Sequence, residues 1–439
     1  MHKHNTGTTR KARVKESFTL KNATSFGGAN ILADYAEAVG LSELLARHLV
    51  IVKASHATFT MHESLAAFVL ATVLGHSRIF HLTGVENDPL LCLKTGWDKL
   101  PDYTTFNYDL HRFTNGEQVA SLRPVLAALA GRIMEASCIL DFDSTVETLY
   151  GSQQGAAVGY NAAKHGRKSY HPLLVFDGLS QTMLNGILRP GSAVSATGFV
   201  EFLQQTLALY PDVIVDFIRM DAGFAGEKMY ALAEKHAGKG YVAKIRQFSA
   251  LLDKARIFPW RRVEYTDYIV ETKSFTYQAK DWSKPRRIVM VRYRPADGQE
   301  QSGQLRLAEL DWQTAAMVTN LDWAEEDVWH FYNQRCCQEN YIKEMKDGFG
   351  MDQIPAASFA ANHAMMLLKG IAYNLAAGFR KEIGTARFAR MTLARMRREF
   401  LMIPAKLVRH ARQIVLKLAA NFRFQDDYHL MRLRLEALA

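Results

Sequence analysis

The stretch Cys138-Ile-Leu-Asp-Phe-Asp143, continuing as Ser144-Thr145, decides the fold. It is a short apolar, β-favouring run that delivers two carboxylates, Asp141 and Asp143, to a polar loop, and at i and i+2 the two share one face of a strand. The same signal returns downstream in residues 171–176 (HPLLVF), 183–188 (MLNGIL), 213–220 (VIVDFIRM) and 241–245 (YVAKI). Residues 196–209 and 224–235 read as helices between them. The order strand, strand, strand, helix, strand, helix, strand predicts a mixed α/β sheet. Asp221 follows the fourth of these strands in Arg219-Met-Asp-Ala-Gly-Phe224, where Gly223 permits a tight turn. Sites in open α/β sheets collect at the carboxyl ends of strands, so Asp143 and Asp221 both stand where function is expected.

Working outward, residues 262–277 and 286–294 alternate apolar and polar side chains, the period of antiparallel strands with one wet face. Residues 246–320 therefore read as an all-β insertion. A long helix is expected from Asp322, whose side chain can cap it with Glu325 as reciprocal partner, to Lys346, with Asp347-Gly348 as its end. Along it Tyr332, Arg335, Glu339 and Lys346 are spaced 3, 4 and 7, which places them within about a 60° arc. A tyrosine, two cations and a carboxylate on one stripe suit a phosphate chain lying beside a metal-bound carboxylate.

Upstream, residues 30–80 read as helices and 83–101 as turn-rich. In 102–136 two helices are expected, with Thr104 or Thr105 as N-cap and a break at Asn115-Gly116. Plain packing and a DNA-reading helix-turn-helix are both open for that pair. Beyond 356 the chain reads as helical and basic.

The 439 residues, 48% hydrophobic and 22% charged, belong to a globular chain with a large core, which excludes disordered, collagenous and small disulfide-scaffold classes. Net charge is +10, and it is unevenly placed. Residues 1–15 carry five cations and no acid, while residues 380–439 carry fourteen cations and five acids, or +9. The body between them is at −4, so basic ends flank an acidic middle. An anionic partner such as nucleic acid fits that balance. Cys92, Cys138, Cys336 and Cys337 make neither a disulfide framework nor a C-x-x-C metal site, which favours a reducing compartment. The longest apolar run, residues 65–75, is short of the roughly 20 residues a bilayer span needs. No secretory signal is visible, and a cytoplasmic protein is expected.

Clustered carboxylates on a basic chain suit Mg²⁺, a hard cation with oxygen ligands, for which Mn²⁺ can substitute. Two such ions would activate an attacking hydroxyl and stabilise a leaving oxygen, and the reaction class is phosphodiester cleavage and strand transfer. Blander readings stand beside this one. A strand-end Asp is most often a turn former, and a helical Glu between cations is usually a solvated face. His171, Asp177 and Arg189 read as packing or turn residues.

The run from Tyr332 to Lys346 resembles, at every interval, the Y-(2)-R-(3)-E-(6)-K signature of bacterial insertion-sequence DDE transposases. Leu74-Gly-His, Asp88-Pro-Leu, LDFDST at 140–145, Tyr150-Gly, Gln153-Gln-Gly, residues 170–178 (YHPLLVFDG), Leu188-Arg-Pro-Gly191 and RMDAGF at 219–224 are similar to one group of these enzymes, and the likeness spans most of 30–375. It implies an RNase H-like catalytic domain formed by 137–245 and 321–375. It also implies a β-rich insertion at 246–320, a helical N-terminal DNA-binding region at 1–136 and a basic helical C-terminal region at 376–439. By the resemblance Asp143, Asp221 and Glu339 are the catalytic and metal-binding acids, with Asp141 the competitor for the first place. Tyr332, Arg335 and Lys346 inherit contacts with DNA phosphates. The partners implied are terminal inverted repeats, target DNA and a second copy of the chain, and no membrane. Trp260 or Trp282 is the counterpart of an insertion aromatic that holds a flipped base in relatives. A structure-selective nuclease of the same fold and a catalytically idle DNA-binding descendant are the alternatives.

Overall fold

Five strands frame the molecule, which is known from a computed structural model that describes residues 14–161, 164–265, 267–295 and 312–438, the side chains of 336–339 excepted. They are β1 (Ser137–Ser144), β2 (Leu173–Asp177), β3 (Met183–Ile187), β4 (Ile214–Met220) and β5 (Gly240–Lys244). β1, β2 and β3 run antiparallel in succession, while β4 pairs parallel with β1 on its other side and β5 parallel with β4. The spatial order β3-β2-β1-β4-β5, with helices α1 (Phe199–Leu209) and α2 (Glu227–His236) as the crossovers that parallel pairs require, is the RNase H-like topology. Alternation sorts the side chains. Leu173 and Val175 of β2 pack with α1 and α2, whereas Leu174 and Phe176 face the opposite core.

Residues 246–320 correct the sequence expectation in two respects. They include a helix, Ser249–Arg256, and their strands do not stand apart: β6 (Arg261–Glu264), β7 (Tyr268–Tyr277), β8 (Arg286–Pro295) and β9 (Gln313–Thr319) continue the central sheet to nine strands. The join is β9 on β5, with Val318 opposite Ala243. The expected wet face is also covered at its centre. Ile288 and Met290 of β8 pack on one side, and Val289 and Val291 on the other, beneath α3 (Glu325–Asn333).

The long helix comes in two pieces, α3 and α4 (Cys336–Phe349), pinched at Gln334-Arg335 although both residues keep right-handed helical angles. Asp322 does not cap it. Helix α3 starts after Ala324, because the Glu325 carboxylate accepts from Ser274 Oγ at 2.7 Å and pairs with Arg261 instead of reaching back. Helix α5 (Phe359–Gly378) is buried almost all round, as expected of a helix with apolar residues on every face.

Around α5, helices from residues 29–131 and from the C-terminal segment share one core. In the 102–136 pair the N-cap is Asp102, which accepts from Thr105 N at 2.8 Å, not Thr104 or Thr105. A break after Ala120 ends the expected second helix, and a further helix, Arg123–Gly131, buries Val125, Leu126 and Leu129 in this core. A buried face of that kind cannot read a groove, so packing is the reading the geometry favours for that helix. The C-terminal region departs from all-helical: Ala405–His410 and Gln413–Leu418 form a hairpin, with Ala411 and Arg412 both at positive φ in its turn. The β-branched Ile414-Val415 pair favours strand, and the absence of glycine hides the turn from a reading of sequence. Among the described residues no helix is long and apolar enough to cross a membrane.

Candidate active site

Asp141 and Asp143 leave the same strand for different environments. Asp141 is fully buried and meets Arg219 of β4 in a bidentate pair, with Nε and Nη2 each 2.6 Å from a carboxylate oxygen. Burial pushes the Asp141 carboxyl up and the guanidinium pulls it down, and two charge-assisted hydrogen bonds of this length keep the pair ionised. Arg219 also donates from Nη1 to Phe331 O at 2.8 Å, tying β1, β4 and α3 together. Asp143 is partly open at the end of β1, where its Oδ1 accepts from Ser144 N at 2.8 Å.

Asp221 follows directly on β4. Since Phe142 is the parallel partner of Met220, Asp143 and Asp221 are neighbours one residue beyond the last registered pair. Asp221 caps a short 3₁₀ turn, accepting from Gly223 N at 2.9 Å. Ser144 Oγ lies 2.8 Å from Ser195 Oγ, and a Cβ on Gly223 would fall 2.4 Å from that same Ser195 oxygen. Ser195 thus bridges the two strand ends, and glycine at 223 is required by the close approach.

The signature helix crosses these strand ends. Arg335 is 4% exposed; its Nη2 donates to Phe142 O at 2.9 Å and lies 3.3 Å from Asp143 Oδ1. Burial pulls the guanidinium down, but Asp143, Tyr332, Asp221 and Asp141 outweigh it and hold it above the ordinary arginine range. Lys346 donates to Thr145 Oγ1 and to Val146 O at 3.4 Å. Tyr332 is buried against β8 and β9. The expected stripe is present, but Arg335 and Lys346 turn inward onto residues 142–146 rather than out to solvent. Glu339 lies in α4 between those two clamps, one turn beyond Arg335 and about two turns before Lys346, and its side chain falls outside the described residues.

Among the described residues no three His, Cys, Asp or Glu side chains form a metal-holding group. Asp143 and Asp221 supply only carboxylate oxygens, a donor set that fits a hard divalent cation. Of the insertion aromatics, Trp282 is buried edge-on against Tyr230 and Tyr277, and the Trp260 ring carries Lys273 at 4.1 Å and Arg292 at 4.5 Å. Both rings already have partners.

A family model described as "Transposase DDE domain group 1" matches residues 6–439. The chain belongs to that DDE transposase family. The transposase is an enzyme that acts on DNA. Among solved structures it is similar to a piggyBac transposase synaptic complex with hairpin DNA, determined by cryo-EM, at 12% identity and a TM-score of 0.40 over 94% of this chain and 80% of that one. No curated protein matches it.

Three residues of the transposase site were not singled out from the sequence. Arg219 and Ser195 find their partners only across strands. Arg189, read as packing, donates from Nη1 to the carbonyls of Val194, Ser195 and Thr197 and from Nε to His171 O, so it lashes down the loop that carries Ser195. His171 accepts a place in the same lashing through Nδ1 to Ala193 O at 2.6 Å; burial lowers its pKa and keeps it neutral. Asp177 accepts from Ile139, Leu179 and Ser180 N–H groups, a turn residue as expected.

Proposed function

We propose that this transposase cuts DNA at the ends of an insertion sequence and joins the freed 3′-hydroxyls to target DNA, with Asp143, Asp221 and Glu339 as its catalytic acids. The observation that carries the reading is the clamping of α4 by Arg335 and Lys346 onto residues 142–146, which holds Glu339 over the strand ends that bear Asp143 and Asp221. Asp141 is spent on Arg219, which supports Asp143 as the first acid.

The three carboxylates would hold Mg²⁺, or Mn²⁺ in its place, which activates the attacking hydroxyl and steadies the leaving oxygen when bound. The chain's own residues orient that centre. Arg335 fixes the Asp143 carboxylate, Ser195 sets the spacing of the two strand ends, and Lys346 and Tyr332 line the approach of the phosphate chain. In the displacement the hydroxyl oxygen bonds to phosphorus as the P–O bond to the leaving oxygen breaks, in line. The partners are terminal inverted repeats, target DNA and a second copy of the chain.

Glu339→Gln tests the assignment. The variant is expected to bind labelled inverted-repeat DNA as the wild type does and to lose cleavage by at least about a hundredfold. Cleavage at the wild-type rate would remove Glu339 from the site. A strand-transfer assay with a free 3′-hydroxyl end separates transposition from simple nuclease action.

A further inference from the structure

A second cavity, of about 720 Å³, opens beside Lys346 on the side away from Asp221, between the turn at Ser77–Phe80, the segment Val146–Tyr150 and the loop after α4. Four buried side-chain acceptors that line it have no hydrogen-bond partner: both carboxylate oxygens of Glu147, Gln153 Oε1 and Gln353 Oε1. Glu147 is 1% exposed. An orphaned buried acceptor costs about 1–3 kcal/mol, more when charged, so four around one cavity call for a ligand that brings donors. The nearest internal donor is already committed, since Lys369 Nζ donates to Gly350 O and to Gln353 O. Two large aromatic rings stand at the rim, Phe80 at 68% and Tyr150 at 72% exposed.

Two parallel acceptors on one carboxylate fit a ligand with two adjacent donors. An arginine guanidinium and the N1–H/N2–H₂ edge of guanine are the two such groups. A guanidinium would bring positive charge into a cavity already lined by Arg78, Lys346 and Lys369, whereas guanine is neutral and offers π faces to the rim aromatics. That edge is free only in an unpaired base, because pairing with cytosine consumes it.

We propose that this cavity is a binding site for an unpaired guanine of the DNA, held by its Watson–Crick edge on Glu147 and by stacking at Phe80 and Tyr150. Gln153 and Gln353 accept from the remaining edge or from water it brings. The choice of DNA as ligand rests on the proposed function, but the site itself requires no cleavage.

The experiment is equilibrium binding by the full chain in EDTA, at a pH above 8 where Glu147 carries its charge. The probes are short labelled oligothymidylates with one central dG, dI, dA or dC. Inosine keeps N1–H and lacks the N2 amino group, so dG is expected to bind at least about tenfold more tightly than dI. Glu147→Gln should erase the dG preference at unchanged thermal stability. The paired substitution Phe80→Ala, Tyr150→Ala should weaken all four probes and leave their order intact, and it stands should Glu147→Gln fail to fold. Equal binding of dG and dI by the wild type overturns the proposal, as does a dG preference that survives in a folded Glu147→Gln. Competition by an arginine-rich peptide with no base preference would reassign the cavity to a protein partner. Because the metal is absent, failure here is separable from failure of the Glu339→Gln test, which reads cleavage.

Discussion

At the residue scale, one strand presents two aspartates two positions apart, and their neighbours give them opposite tasks. Asp141 and Arg219 form a buried pair, and such pairs are strongly destabilised when one member is lost, because the other charge remains in a low-dielectric interior. Arg219→Leu is expected to lose about 3–5 kcal/mol in urea unfolding, and the double change Arg219→Leu, Asp141→Leu to recover much of that loss. A single variant within 1 kcal/mol of wild type, an order of magnitude set by surface pairs, would mean that Asp141 has another partner. The pairing also explains why the sequence left both aspartates open as the first acid. Arg219 lies 78 positions away and its pairing depends on β4 lying parallel to β1, which no local pattern contains.

Elements were legible wherever their pattern is local. The five frame strands, α1 and α2 were readable because apolar runs and turn residues mark them, and the strands fall within three residues of the expected bounds. What escaped depends on partners. The insertion's alternation implied a wet face, but α3 covers it, and period alone does not say what packs on a strand. The C-terminal hairpin is a case of the same kind, since it is completed by Ala23 and Thr24, which pair with Lys406 and Ala405 from the far end of the chain. Beside that three-stranded patch the backbone of Gly27 and Gly28 hydrogen-bonds to Ile403 O and Leu401 O, and a Cβ on Gly28 would stand 2.1 Å from Phe400 O. No side chain fits there without parting the two segments. Gly28→Ala is therefore expected to cost about 1–3 kcal/mol and to raise hydrogen exchange of the Ala405–Leu418 amides more than those of β1. Uniform acceleration across both would show that the seam is not a local unit.

At the scale of the whole molecule, Glu147 and Lys369 sit where the catalytic sheet, the N-terminal helices and α5 meet, and both are buried ionisable groups. Burial pushes Glu147 from 4.5 up to about 8, against the pull of Lys346 and Lys369, with Asp352 adding to the rise. Burial likewise pushes Lys369 from 10.5 down to about 8, opposed by Glu147 and Asp352 and helped by Arg78. The signs of the two linkages are opposite. Between pH 4.5 and 8 the folded state holds a proton on Glu147 that the unfolded chain has released, so stability falls as pH rises. Between 8 and 10.5 the unfolded chain keeps a proton that folded Lys369 has lost, so stability rises again. The pair should thus cut a minimum near pH 8 into the profile of urea midpoint against pH. Subtracting the profile of Glu147→Gln isolates the falling limb, and that of Lys369→Met the rising one, because all other groups cancel. Profiles of wild type and Glu147→Gln that run parallel from pH 5 to 8 would mean that the carboxyl is solvated, and the cavity beside Lys346 would then lack the acceptor on which its ligand depends.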